Sequence, residues 1–571
     1  MKAMPRLVRR ANVELSGWPD GFPNLLARLY AARGATDVDK AQPRLANLLP
    51  PDLLGGMEAA VHLLADAMAT DSHIVVVGDF DCDGATACAV GVRGLRMLGA
   101  GRVSYAVPNR MVHGYGLSPS LVDELAALEP DLLVTVDHGI ACHAGITAAK
   151  ARGWKVLVTD HHLPGDTLPP ADAIVDPNSR GDAFPSKALA GVGVMFYVLL
   201  ALRKHLRAQG SFSTGEPDLS QLLDLVAVGT VADLVPLDTN NRALVSAGLR
   251  RLREGRGCAG LRALIDVSQR ETSRLTAADI GYAIGPRINA AGRLEDMSLG
   301  IECLVTDDLA QARDIAATLN EINGERRAVQ QQMTDEAERA LQAITLGEAG
   351  SSAAVCFYDP DWHPGVIGLV ASKMKERLHR PVIAFAPAEP GSDRLRGSAR
   401  SIPGFHMRDA LADVASRYPG LIERFGGHAM AAGLSLGLSE LPAFERAFDE
   451  CAARLLSPEL LQAEIVSDGQ LEAAEFSRRS AELLRDAGPW GQGFPEPQFD
   501  GEFDVLNSRV VGERHLKLEL GHAGLRLNAI HFGGWEGTAP IGRVRIAYRL
   551  EPDDYRGGEA VQLVVVHREP A

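Results

Sequence analysis

The sequence predicts an α/β protein in which a parallel-sheet domain is joined by a long helix to a second, smaller α/β domain, followed by a C-terminal all-β barrel of the OB type. Three observations predict it. Short apolar runs rich in β-branched residues alternate with helical segments from about residue 55 to 235; a charged, proline-free stretch follows Thr306; and the last hundred residues break into strand-like runs separated by turns.

The first part carries IVVVGD (74–79), VSYAVP (103–108), LLVTVD (132–137), KVLVTD (155–160) and AIVDP (173–177). Such nearly continuous apolar runs suit strands of a parallel sheet covered on both faces. Between them, residues 84–100 and 142–153 predict crossover helices, with small residues where they meet the sheet. Residues 307–344 hold good helix formers and predict the connecting helix, with Asn323-Gly324 as its expected break or bend. A second α/β unit starts near Ala353, where AAVCFYD and PVIAFAP flank a helix over 366–378, and it extends to about Leu455. Five runs then predict the barrel: 498–511, 515–524, 525–534, 542–555 and 559–570. The domain limits expected are 1–54 for an N-terminal segment packed on the first domain, 55–306, 307–345 for the helix, 346–455, and 456–571.

Hydrophobic residues at 46% and charged residues at 23% indicate a folded, globular chain. A net charge of -15 argues against a protein that coats nucleic acid by bulk charge, because phosphate contacts need Lys and Arg. Residues 361–430 are locally basic, with ten Lys or Arg against seven Asp or Glu. Seven cysteines without a CxxC pair predict neither a zinc site nor a disulfide framework. The basic opening residues lack the apolar core of a secretory signal, and no apolar run approaches the roughly 20 residues needed to cross a bilayer. The expected location is the cytoplasm.

VVVGDFDCDGATA offers Asp79, Asp81 and Asp83 where a strand ends and a helix begins. Three crowded carboxylates are costly unless cations neutralise them. Two more strands end alike, LLVTVD on Asp137 before His138, and KVLVTD on Asp160 before His161 and His162. Ligands of open parallel sheets gather at the carboxyl ends of strands, so these acidic ends share one edge. VAVGTVADLVPL adds Asp233, either a core aspartate at a helix end or a further ligand. Oxygen and imidazole donors favour Mg2+ or Mn2+ over structural zinc. More than four carboxylates suggest two ions, spaced roughly 3.5–4 Å apart to clamp the attacking and leaving oxygens of phosphoryl hydrolysis.

These residues resemble the DHH phosphoesterases, and within them the RecJ-type exonucleases that degrade single-stranded DNA. GDFDCDGAT, TVDHGI, VTDHHLP and GTVADLVPL match four motifs in order, PNR followed by GYGL and GPRINAAGRL match two more, and WHPGVIGLVASK, GSARSIPG and FGGHAMAAG mark the second domain. The resemblance implies metal ligation by Asp81, Asp83, Asp137, His161 and Asp233, with Asp79 as a further ligand. Many relatives carry a histidine four residues before the position of Asp81; Val77 stands there, so Asp79 or water is expected to fill its place. Asp160 is expected to orient or polarise His161, leaving His162 to face the phosphate as a catalytic proton donor or hydrogen-bond partner.

Arg110, Tyr115, Arg287, Asn289, Arg293, Arg400, Gly427 and His428 are the expected substrate contacts. Arginines grip phosphate oxygens, glycines let backbone approach phosphate, and Tyr115 offers a ring for stacking or packing. Trp490, Phe494 and Trp535 are either base platforms or core. The resemblance further implies 5′ to 3′ release of mononucleotides in DNA repair and recombination, by a monomer working with a helicase or a single-strand-binding protein. Two rivals are a DHH phosphodiesterase for short oligonucleotides or cyclic dinucleotides, and a non-catalytic replication scaffold.

Overall fold

The computed structural model describes residues 5–11, 13–109, 112–213, 215–345 and 352–571. The chain divides into two compact units, one made of residues 10–323 with 467–571, the other of the residues up to 9 with 324–466.

In the first unit, β1 (Ile74–Val77), β2 (Val103–Ala106), β3 (Leu132–Val136), β4 (Lys155–Thr159) and β5 (Ala173–Val175) form one sheet in the order β2-β1-β3-β4-β5, every pair parallel. Every residue of β1 and β3 is buried, which is why those stretches read as unbroken apolar runs. Helices α1 (Cys82–Met97) and α2 (His143–Ala151) begin and end close to their expected limits. They are joined by α3 (Gly191–Ala208) and α4 (Leu223–Ala232), and α1 packs on both α3 and α4. The chain leaves β1 towards β2 and returns to β3 on its other side. The carboxyl ends of β1 and β3 therefore flank the point where strand order reverses, the usual ligand crevice of such sheets.

After α5 (Gly285–Leu294), α6 (Leu309–Thr345) runs unbroken through Asn323-Gly324, where the sequence predicts a break or bend. A single glycine costs about 1 kcal/mol relative to alanine, too little to interrupt a ladder of 37 residues. The border between the two units falls at that dipeptide.

The second unit holds a mixed sheet of β6 (Val355–Tyr358), β7 (Val382–Pro387), β8 (Arg394–Arg400), β9 (Arg424–Gly427) and β10 (Ala431–Gly437), ordered β9-β10-β8-β7-β6. Only β6 and β7 pair in parallel, connected by α7 (Ile367–Leu378). Helix α8 (Leu441–Leu455) closes the unit, its Phe444 and Phe448 buried beside Phe385 and Phe405.

The C-terminal strands β11 (Phe499–Val511), β12 (His515–His522), β13 (Leu525–His531), β14 (Arg543–Pro552) and β15 (Val561–Pro570) close into a barrel ordered β11-β12-β13-β15-β14. A register shift between Val505 and Asn507 bends β11 so that it pairs with β14 along its first half and β12 along its second. Closure leaves no open edge.

The N-terminal segment fastens residues 468–495, the approach to the barrel, to the parallel-sheet domain. Arg33 grips Asp468 through both Nη1 (2.9 Å) and Nη2 (2.7 Å) and donates from Nε to the Pro495 carbonyl at 2.6 Å. Tyr30 donates its hydroxyl to Ala487 O, and its ring lies among Trp18, Phe22, Trp490 and Phe494. The Arg242 guanidinium sits 3.8 Å over the Phe494 ring. Trp490 and Phe494 are therefore core residues rather than base platforms, and Trp535 packs half-buried on the barrel core. The Arg33 side chain is 0% exposed and that of Asp468 2%, so removing one partner strands a buried charge. Asp468→Ala is expected to lower unfolding free energy by about 3–5 kcal/mol, read as a lower denaturant midpoint by fluorescence. A midpoint equal to wild type would deny this ion pair its fastening role.

Candidate metal centre

Asp79 follows β1, Asp137 follows β3 and Asp160 follows β4, so three strands deliver carboxylates to one edge of the sheet. All three are buried. Asp81 is the N-cap of α1 and accepts from Gly84 N at 3.0 Å; Asp83 lies in the first turn. The turn is so tight that a Cβ on Gly84 would stand 2.6 Å from Asp79 N. Asp83 reaches across to the start of α3, where its two oxygens accept from Gly191 N (2.6 Å) and Val192 N (3.0 Å). A helix N-terminus stabilises a carboxylate. Gly191 must be glycine, since a Cβ there would stand 2.5 Å from that of Asp137.

Asp137 adopts φ 64°, a left-handed conformation that costs a non-glycine residue about 1–3 kcal/mol. Its Oδ1 is buried and, among the described residues, receives no hydrogen bond in good geometry, while His161 Nε2 stands 3.0 Å away. Asp233 is the C-cap of α4, with Oδ2 3.5 Å from His161 Nε2. The negative end of a helix is a costly place for a carboxylate unless a cation lies near.

These side chains offer ligand atoms in groups within 4.8 Å of one another: Asp79, Asp81 and Asp137; Asp83, His161 and Asp233; and Asp137, His161 and His162. The first two groups share no residue. Burial, followed by repulsion from Asp81, pushes Asp83 up to about 7. Burial and the neighbouring aspartates likewise raise Asp137 and Asp233 well above the usual carboxylate range. The donor set, oxygens plus one imidazole nitrogen, suits Mg2+ or Mn2+.

Val77 is fully buried in β1 and its side chain packs with Leu117, Leu121 and Leu133 in the core. The place of the relatives' histidine thus belongs to the hydrophobic interior, and Asp79 completes the first group. Asp160 serves a different histidine from the one expected. Its Oδ1 accepts from His162 Nδ1 at 2.7 Å, and from the His161 backbone N–H, also at 2.7 Å. Burial opposes both charges, but the pairing wins, holding Asp160 well below the usual range and raising His162 to about 9.

The expected substrate residues are unevenly placed. Tyr115, 51% exposed, lies in a loop between two glycines, with its hydroxyl 3.5 Å from His162 Nε2 and its ring edge-on to Phe80 and His162. Arg287 is buried, donating to Asn320 Oδ1 and Ala283 O. Asn289 accepts from Cys82 N at 2.9 Å and so braces the start of α1. Arg293 is half-buried in the last turn of α5. Arg400, Gly427 and His428 come together in the second unit. Arg400 on β8 pairs with Ala431, across the hairpin closed by His428 N to Ala431 O, and donates to the Ser372 and Ser398 hydroxyls. Arg110 lies outside the described residues.

Two further buried side chains at the strand ends had no expected role. His138 is fully buried and kept neutral by burial, which lowers it to about 4; its Nε2 donates to Val77 O and ties the ends of β3 and β1 together. Asp176 follows β5, and AIVDP carries the same strand-end aspartate as the other runs without a histidine to single it out.

Residues 73–230 match the DHH family N-terminal domain, 350–454 the DHHA1 domain and 467–567 the RecJ OB domain. The chain is 49% identical over 574 residues, 99% of either chain, to the single-stranded-DNA-specific exonuclease RecJ of Salmonella typhimurium, and 48% identical to that of Escherichia coli over 99% of each. The chain belongs to the RecJ family of DHH proteins. A RecJ crystal structure from Thermus thermophilus in complex with Mn2+ superposes with a TM-score of 0.79 at 31% identity, covering 96% of this chain and 76% of that one. A second from the same organism, with Mg2+, gives 0.76 at 29% identity, covering 99% and 79%.

Carboxylates raised by burial bind protons more tightly folded than unfolded, so the metal-free protein loses stability as pH rises from about 4 through 7. Cations compete with those protons. The rise in melting temperature caused by Mn2+ is therefore expected to be small at pH 5 and several degrees larger at pH 8, by scanning fluorimetry with and without chelator. An increment independent of pH would contradict the protonation of these carboxylates.

Proposed function

We propose that the chain is a metal-dependent exonuclease that hydrolyses the phosphodiester bonds of single-stranded DNA, 5′ to 3′, releasing mononucleotides in repair and recombination. The observation that carries this reading is the pair of distinct ligand groups, Asp79, Asp81, Asp137 and Asp83, His161, Asp233, at the switch point of a sheet shared with RecJ proteins.

Asp79, Asp81 and Asp137, and Asp83, His161 and Asp233, would hold Mn2+ or Mg2+, two ions in this reading, which would supply an acidified water and neutralise charge on the phosphate. The chain's own residues do the rest. Asp160 keeps His162 protonated at neutral pH and fixes its ring, so that Nε2 presents a proton towards a phosphate oxygen or the departing oxygen. Tyr115 stands beside that proton with an exposed ring able to stack on a terminal base. Asn289 holds the turn carrying Asp81 and Asp83. Arg293, with Arg110 and the Arg400–His428 hairpin, supplies donors for phosphate; Arg287 acts by bracing α5 from within. The barrel offers the strand an extended track, which a small cyclic dinucleotide would not need.

The domain limits 1–54, 55–306, 307–345, 346–455 and 456–571 delimit the working parts in this proposal, the last binding single strands. Among the described residues no helix is long and apolar enough to cross a membrane. We place the protein in the cytoplasm as a monomer fed by a helicase or a single-strand-binding protein.

Single strands labelled at either end, as DNA and as RNA, are digested with and without Mn2+. Wild type is expected to release mononucleotides from the 5′ end of DNA only when metal is present, and Asp137→Asn to do so about 10^3-fold more slowly or worse. Equal release by the two proteins would end the catalytic reading. Preference for two- to five-nucleotide substrates would favour an oligonucleotide phosphodiesterase instead.

A further inference from the structure

Asp176, Pro177 and Asn178 follow β5 on the same edge of the sheet as the metal-binding groups, and none is among the residues of those groups. Their bonds lead elsewhere. Asp176 is 1% exposed and its Oδ1 accepts from Asn178 N at 2.7 Å, which fixes the turn. The Asn178 amide then donates to two carbonyls from separate stretches of chain, His161 O at 2.6 Å and Lys187 O at 3.3 Å. An amide nitrogen carries two hydrogens, so both bonds can form at once.

Each carbonyl belongs to a different arm of one ligand group. His161 provides Nε2 directly. Lys187 lies four residues before Gly191, whose N–H holds Asp83 Oδ2 at 2.6 Å. The stretch between them is fixed, because Lys187 Nζ donates to Pro177 O at 2.6 Å and Asn241 Nδ2 to Ala188 O at 2.6 Å. A displacement at Lys187 is thereby passed to the anchor of Asp83.

We propose that Asn178 is a positioning residue whose amide sets the spacing between His161 and Asp83, and hence the cation affinity of the Asp83, His161 and Asp233 group. The inference rests on the metal reading above. It gives Asn178 no part in the Asp79, Asp81 and Asp137 group, because its amide bonds run to His161 O and Lys187 O. Partners that orient ligands from behind are worth about 10–100-fold in metal affinity.

The test is Mn2+ titration of the full chain, freed of metal by chelator, by calorimetry and by the electron paramagnetic resonance of free Mn2+. Wild type is compared with Asn178→Asp, which keeps the shape and loses both donors, and with Asn178→Ser, which is neutral and too short. Wild type is expected to bind two ions, and each variant to bind one as before and the other about 10–100-fold more weakly. Nuclease rates in the variants should fall at low Mn2+ and recover as Mn2+ saturates. Binding within twofold of wild type in both variants, an equal loss at both sites, or failure of both variants to fold would overturn the proposal. Wild type that binds no Mn2+ at all would overturn the metal reading, and this inference with it.

Discussion

Mutual repulsion among buried carboxylates is the constraint around which the first unit is built. Two groups of ligand atoms, each within 4.8 Å, draw on five aspartates and one histidine, and Asp79, Asp83 and Asp137 among them are buried. No chain drifts into that arrangement, because every carboxylate raises the cost of the next. The backbone imposes it through three strands ending on one edge, a glycine at 84 that lets the first turn of α1 close on Asp79, and a glycine at 191 that lets α3 abut Asp137. The left-handed backbone of Asp137 shows strain accepted at the same place. Cations offset that cost when bound, so folding and metal binding are coupled.

The supporting groups divide the electrostatic work. The N-terminus of α3 stabilises Asp83, whereas the C-terminus of α4 repels Asp233, so one ligand is held by the fold and the other depends on the ion. Neutral His138 joins two strand ends without adding charge. Asp160, an acidic strand end of the same kind, stands outside the ligand groups and is bonded instead to His162, which holds its carboxyl well below the usual range.

The sheet, the connecting helix, the second unit and the barrel are legible in the sequence because each rests on a local signal, namely apolar runs for buried strands, helix formers over 37 residues, and alternating strands between turns. The strand-end aspartates are legible for the same reason, since an aspartate closing an apolar run is a pattern of neighbours. Side-chain partnerships across the fold are not. Nothing near Asp160 decides which of two adjacent imidazoles it takes, and the tasks of Arg287 and Asn289 depend on Asn320 and Cys82, far away in sequence. Trp490 and Phe494 stay open between base platform and core until Tyr30, Arg33 and Arg242 are seen around them. Asp176 carries the same strand-end signal as its neighbours, but its partner Asn178 acts through carbonyls that no local pattern announces.

Crystals grown with Mn2+, with anomalous difference maps recorded at the manganese edge, provide the most direct test of two-cation balance. Two peaks are predicted, one against Asp79, Asp81 and Asp137, the other against Asp83, His161 and Asp233, with Asp137 and His161 at their junction. A single peak, or none at these residues, would contradict the claim that two cations balance this set of buried carboxylates.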